Sequence, residues 1–287
     1  MNQIRNEFLS AAISPVGGEL RSLRDRKTGF EYLWQGDEAY WNQSAPNLFP
    51  FIGRLLNARY TCGGETYSMP IHGFLPAAPM QGEGEGDSAV FSMEDTEATR
   101  AVWPFRFRLE ICYRLSGRKL SVEYRVENRG DKELPFSVGG HPGFNLPISE
   151  GKAFSDYALE FDAPENPRRI LFSEKNILAD GDAPYPMEDA RIPLSHGLFD
   201  EDAIILSGAG HAVTLTDGAH GVRAEYPDFD FIGFWHAPKT EAPYLCIEPW
   251  SALPGREGVT EDVSTMPHLT RLDPGDTACF RWSVEIF

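Results

Sequence analysis

A two-residue period is the feature that most constrains this chain. Across residues 105–115 (FRFRLEICYRL), Phe105, Phe107, Leu109, Ile111, Tyr113 and Leu115 alternate with mostly polar neighbours. Leu120, Val122, Tyr124 and Val126 continue the pattern until Asn128-Arg129-Gly130-Asp131 supplies turn chemistry, and Ala278, Phe280, Trp282, Val284 and Ile286 repeat it at the end. Such alternation sends one set of side chains into a core and the other outward, as in half-buried antiparallel strands. The 27 glycines and 22 prolines are placed between such runs, where turns need them. No long stretch has helical spacing. The expected fold is all-β, a large antiparallel β-sandwich of roughly 15–20 strands.

Nothing in the composition divides the chain. At about 150 residues per domain, 287 residues allow one or two domains, but large sandwiches often reach this size undivided. The acidic segment 81–97 (QGEGEGDSAVFSMEDTE) reads as a hairpin excursion, and the proline- and acid-rich stretch 162–193 as a loop-rich crossing of the surface. The absence of a 20–50-residue repeat argues against propellers and solenoids. A single domain spanning 1–287 is expected.

Charge and composition then exclude several classes of partner. A hydrophobic content of 41% can build a core and excludes global disorder. The balance of 26 Lys+Arg against 43 Asp+Glu gives a net charge of −17 with no basic stripe, so nucleic acid is not an expected partner. No apolar run approaches the ~20 residues of a transmembrane helix. The start, MNQIRNEFLSAAISP, lacks the basic region and apolar core of a secretory signal. Cys62, Cys112, Cys246 and Cys279 show no CxxC spacing and read as buried, reduced thiols. A cytoplasmic location follows as the expectation.

Four segments interrupt the alternation with single ionisable groups among glycines, prolines and aromatics: Asn47–Arg54 (NLFPFIGR), Ile71-His72-Gly73-Phe74, Gly139–Asn145 (GGHPGFN) and Cys246-Ile247-Glu248-Pro249-Trp250. A carboxylate in such apolar company is either paired or has its pKa raised, which makes Glu248 a candidate acid or base. His141 stands among glycines that permit close approach of a ligand, and Pro142 restricts its backbone to an extended form.

These segments carry a family resemblance. The sequence resembles the aldose 1-epimerase (galactose mutarotase-like) superfamily, especially its bacterial LacX-like branch. Gly53-Arg54-Leu55 with Ala58-Arg59-Tyr60 fits the family's substrate-arginine stretch, His72-Gly73 its first histidine, His141-Pro142-Gly143-Phe144-Asn145-Leu146 its second, and Glu248 its late glutamate. Each motif is weak alone; the four in family order are specific. The resemblance implies a large antiparallel sandwich that interconverts the α and β anomers of aldoses without a cofactor. Glu248 would be the general base, His141 the general acid, and Arg54 and His72 would hold sugar oxygens. Asp202, before the apolar run Ala203-Ile204-Ile205, is the counterpart chosen for the family's sugar-binding aspartate, although the histidine that follows it in galactose mutarotases is missing.

Trp235 is taken as a sugar-stacking candidate, while Trp41 and Trp250 are read as core. His196, His211, His220, His236 and His268 are read as surface or structural. Three alternatives stand beside a free-hexose mutarotase. A hexose-6-phosphate epimerase would draw on extra cations, with Arg59, Arg168 and Arg169 as candidates. A non-catalytic sugar-binding module would have no need of an acid–base pair. A facial-triad metal enzyme is disfavoured because His72 and His141 lie far apart in sequence. No metal and no cofactor is expected; the expected partner is a small-molecule sugar.

Overall fold

Alternation in the sequence becomes alternation of burial. In the strand Phe107–Ser116, Phe107, Leu109, Ile111, Tyr113 and Leu115 are buried while their neighbours are wholly or partly exposed. The next strand, Lys119–Asn128, pairs with it antiparallel across the two-residue loop Gly117-Arg118 and repeats the pattern. The computed structural model describes all residues, Met1–Phe287.

Two large sheets dominate. The nine-stranded sheet runs in the order Arg191–Pro193, Ala158–Phe161, Ala212–Thr216, Gly221–Glu225, Thr277–Ile286, Lys119–Asn128, Phe107–Ser116, Ser88–Glu94 and Gln81–Glu85. The eight-stranded sheet runs Leu178–Pro184, Arg168–Phe172, Ile204–Ser207, Phe231–Trp235, Tyr244–Trp250, Gly139–Gly140 and Asn47–Leu48, with Gly143–Asn145 also bound to Tyr244–Trp250. All pairings within both sheets are antiparallel. A continuous cluster of 63 buried apolar residues, from Ile4 to Ile286, draws side chains from both. The fold is the expected large antiparallel β-sandwich.

A buried polar network ties the sheets together. Asn47 donates through Nδ2 to the carbonyls of Gly17 and Gly18 and to the Tyr113 hydroxyl, and accepts from the Tyr124 hydroxyl at 2.7 Å. Tyr124 in turn accepts from the Trp282 indole at 3.1 Å. Burial of so many polar groups is tolerated because each finds a partner.

Several expectations need correction. There are 25 strands, more than anticipated, because many have only two to four residues and are too short to display a period. Segment 81–97 does form the expected hairpin (Gln81–Glu85 with Ser88–Glu94), but it ends in the short helix Glu97–Val102, capped by Thr96. The stretch 162–193 is not merely a loop: it contributes Arg168–Phe172 and Leu178–Pro184 to the eight-stranded sheet and Arg191–Pro193 to the other. Of the four cysteines only Cys246 is buried; Cys279 is exposed and the other two are intermediate.

Candidate active site

Strand Tyr244–Trp250 is buried at every position, because both faces of its sheet are covered. Its alternation separates two environments. Leu245 and Ile247 enter the main core, whereas Cys246, Glu248 and Trp250 share the opposite face. Phe231–Trp235 behaves alike, with Ile232 and Phe234 in the core and Gly233 opposite Glu248. A side chain at Gly233 would come within 3.2 Å of the Glu248 Cβ, so glycine there leaves the carboxylate room.

On the other side of this strand the neighbour is interrupted. Gly139 pairs opposite Trp250, and Gly143–Asn145 pairs opposite Cys246, Leu245 and Tyr244. Between them lie His141 and Pro142; proline has no N–H to give the ladder. The register is the same on both sides, and the Ile247 N–H still donates to the Pro142 carbonyl at 3.0 Å, so His141 stands directly across from Glu248 and its imidazole faces the carboxyl. Nε2 of His141 lies 3.1 Å from Oε2 of Glu248. The approach lacks hydrogen-bond alignment, and both Oε2 and His141 Nδ1 are buried without another partner. With no hydrogen bond at Nδ1, the ring is held by aromatic contacts, with Trp41 tilted across it at 4.9 Å, His72 edge-on at 5.4 Å and Trp235 edge-on at 5.8 Å.

The second wall joins two segments remote from the strand. The Gly53 N–H donates to His72 Nδ1 at 3.1 Å, and the His72 N–H donates to the Gly53 carbonyl at 2.9 Å. Because Nδ1 accepts, the neutral His72 ring carries its proton on Nε2. The same clamp sets the backbone that presents Arg54. Asp202 projects from the turn after Phe199, its N–H bonded to the Phe199 carbonyl, just before strand Ile204–Ser207.

Arg54, His72, His141, Asp202, Trp235 and Glu248 all line one cavity of about 290 Å³. All six side chains singled out in the sequence therefore converge. Six further residues line it that sequence reading did not select: Trp41, Gln43, Phe172, Asn176, Trp250 and Pro254. Trp250 had a signal, since it shares the face of Glu248 two residues away, but as a buried tryptophan it reads as core. Phe172 and Asn176 fall in the stretch read as loop-rich, and Trp41 and Gln43 belong to no motif.

Burial shapes the ionisation of the pair. It pushes the Glu248 carboxyl well above the usual carboxylate range, and the Asp202 carboxylate adds to the effect. It lowers His141 to about 4. His72 is likewise held well below the usual imidazole value by burial first, then by His141 and Arg54. Each group alone resists carrying a charge, so the contacting pair favours holding one proton between them. A larger cavity, of about 750 Å³, opens on the nine-stranded sheet; its Lys119, Glu225, Asp162 and Arg281 are engaged in ion pairs.

Comparison with known proteins agrees with this architecture. Residues 1–259 match the aldose 1-epimerase family. The chain belongs to that family. The chromosomally encoded protein LacX of Lactococcus lactis subsp. lactis is 31% identical over 298 aligned positions, covering 99% of this chain and 98% of LacX. The crystal structure of a galactose mutarotase related enzyme from Lactobacillus acidophilus superposes with a TM-score of 0.94 at 33% identity, covering 100% of this chain and 97% of that one. A galactose mutarotase-like protein from Lactobacillus casei gives 0.95 at 30% identity, with both chains fully covered. Membership supports an isomerase of the mutarotase type. No helix is long and apolar enough to cross a membrane.

Proposed function

We propose that this protein is an aldose 1-epimerase that interconverts the anomers of an unphosphorylated hexose, with Glu248 as base and His141 as acid. One observation carries the reading: a carboxyl and an imidazole lie 3.1 Å apart, 1% and 10% exposed, beside a cavity of sugar size. Glu248 takes the proton from the C1 hydroxyl while His141 gives one to the ring oxygen, and the C1–O5 bond opens. Rotation about C1–C2 presents the other face of the aldehyde. Reclosure reverses both transfers and returns the pair to its starting state. Acid and base must act on two oxygens in concert, which is why one ionisable group is not enough.

The remaining groups supply binding. Arg54 and the Nε2–H of His72 are donors for sugar oxygens, Asp202 is an acceptor for hydroxyls, and Trp235 offers an aromatic face. The balance of charge favours a free sugar over a phosphorylated one. Arg54 is the only Lys or Arg on the cavity wall, while Asp202 and Glu248 are both acidic. Arg168, considered for a phosphate, is already paired with Asp182 at 2.5 Å.

The test is polarimetry, or NMR of the anomeric protons, on freshly dissolved α-hexoses. Equilibration should run faster than the buffer blank and be unaffected by EDTA, because the proposed steps use only side-chain protons. A rate equal to the blank across common hexoses and their 6-phosphates would replace the enzyme by a sugar-binding module.

A further inference from the structure

We propose that His141, Cys246 and Glu248 form a binding site for a soft divalent cation, Zn²⁺ or Cd²⁺, whose occupancy blocks the acid–base pair. Binding rests on the geometry alone; the loss of turnover rests on the function proposed above.

One ligand atom from each of these three buried residues lies within 4.8 Å of the other two. Cys246 and Glu248 are two residues apart on one face of the strand Tyr244–Trp250, and His141 meets them from the neighbouring chain segment, where the register sets it across from Glu248. A tetrahedral Zn²⁺ with bonds of about 2.0–2.3 Å sets its ligand atoms roughly 3.3–3.8 Å apart. The three donors therefore need to close by at most about 1–1.5 Å. Room for this exists beside the thiol, because its cross-strand neighbour is Gly143. A Cβ at Gly143 would stand 3.4 Å from Cys246 Sγ and 3.1 Å from the Trp41 ring.

The donor set specifies the ion. Thiolate, imidazole and carboxylate together select zinc-like cations, whereas Mg²⁺ and Ca²⁺ require mostly oxygen. Glu248 also offers what a structural core carboxyl would not: Oε2, on a side chain 1% exposed, has no hydrogen-bond partner. Three protein ligands leave one position for water or a sugar hydroxyl. On binding, the metal displaces the Cys246 thiol proton and the proton held by the His141–Glu248 pair, both to solvent, with no change of oxidation state. Glu248 then cannot accept a proton and His141 cannot donate one.

The experiment titrates the metal-free protein with Zn²⁺ by calorimetry and with Co²⁺ by absorption. We expect one site per chain and a thiolate-to-Co²⁺ charge-transfer band in the near ultraviolet. Cys246→Ser should abolish the band and weaken Zn²⁺ binding by about tenfold or more, while leaving the metal-free rate of anomer exchange close to wild type. His141→Asn should weaken Zn²⁺ binding as well, which separates this site from the other three cysteines. Excess Mg²⁺ should not compete. Absence of the band, or Zn²⁺ binding unchanged in Cys246→Ser and Cys246→Ala, overturns the site. A band in a protein that does not accelerate mutarotation leaves the site standing and removes the proposed function instead.

Discussion

At the scale of the residue, the decisive fact is that burial opposes charge on both members of the pair. Glu248 protonated beside neutral His141, and Glu248 ionised beside protonated His141, are two forms of one protonation state. The working form needs that single proton. Activity should therefore fall on the acid side only near His141's value of about 4, where a second proton removes the base. On the alkaline side it should persist through neutrality until the raised Glu248 ionises. Independent groups at their ordinary values of about 4.3 and 6.5 would instead give a narrow bell already falling at pH 7. A kcat/KM profile from pH 3.5 to 9 distinguishes the two. Glu248→Gln keeps the size of the side chain but removes the proton acceptor, so kcat should drop by about 10²–10⁴. His141→Asn should cost a similar factor, and the double variant much less than the product. Glu248→Gln should also raise Tm at pH 7. The wild-type carboxyl has a raised folded-state pKa, so stability present below the unfolded value of about 4.3 is lost as pH rises toward the folded one. Removing that penalty should raise Tm at neutral pH and change it little at pH 4, which thermal melts at the two pH values would show. A folded Glu248→Gln with a near-wild-type rate would sink the proposed base.

At the scale of the element, function depends on where strands stop. Pro142 withholds an N–H from the ladder without shifting the register that sets His141 across from Glu248, and the short strand Asn47–Leu48 leads directly into the segment that presents Arg54. Asn47 anchors that strand in the core through four hydrogen bonds, to two backbone carbonyls and two tyrosine hydroxyls. Asn47→Ala would remove the acceptor for the Tyr124 hydroxyl and the donor to two buried carbonyls. Urea unfolding should register a loss of about 2–4 kcal/mol. Because Asn47 does not line the cavity, the surviving folded fraction should show a raised KM through a looser Arg54 segment, with kcat changed less. An unchanged midpoint would mean that water replaces the amide.

For the whole molecule, charge becomes a selectivity device. On the proposed function, a surface with net charge −17 and the Asp202 carboxylate in the cavity should disfavour a dianionic substrate, the His141–Glu248 pair being neutral overall. The kcat/KM for hexose 6-phosphates should be below that for free hexoses at low ionic strength and rise as salt screens the repulsion, while the free-hexose value stays level. Stopped-flow or NMR exchange rates at 0.02 and 0.5 M salt would show it. Equal values, unaffected by salt, would return the phosphorylated sugars to contention.

What the sequence determined by itself is whatever repeats locally or is held in a short motif. The period of two establishes the long strands, because side-chain direction alternates with backbone geometry regardless of what packs above. The motifs around Arg54, His72, His141 and Glu248 were legible because each places one ionisable group among glycines, prolines and aromatics. Asp202 came from the family resemblance, and Trp235 from its strand just before the Glu248 segment. Only the tertiary structure decided the rest. Strands of two to four residues have no period to read, so the sheet order and the strands within 162–193 stayed hidden. Trp41 reaches His141 from a loop about 100 positions away in sequence. Cys246 had the composition of an inert core thiol. Its place beside His141 and Glu248 depends on strand register, since distances between segments far apart in the chain are set by how the sheets pair.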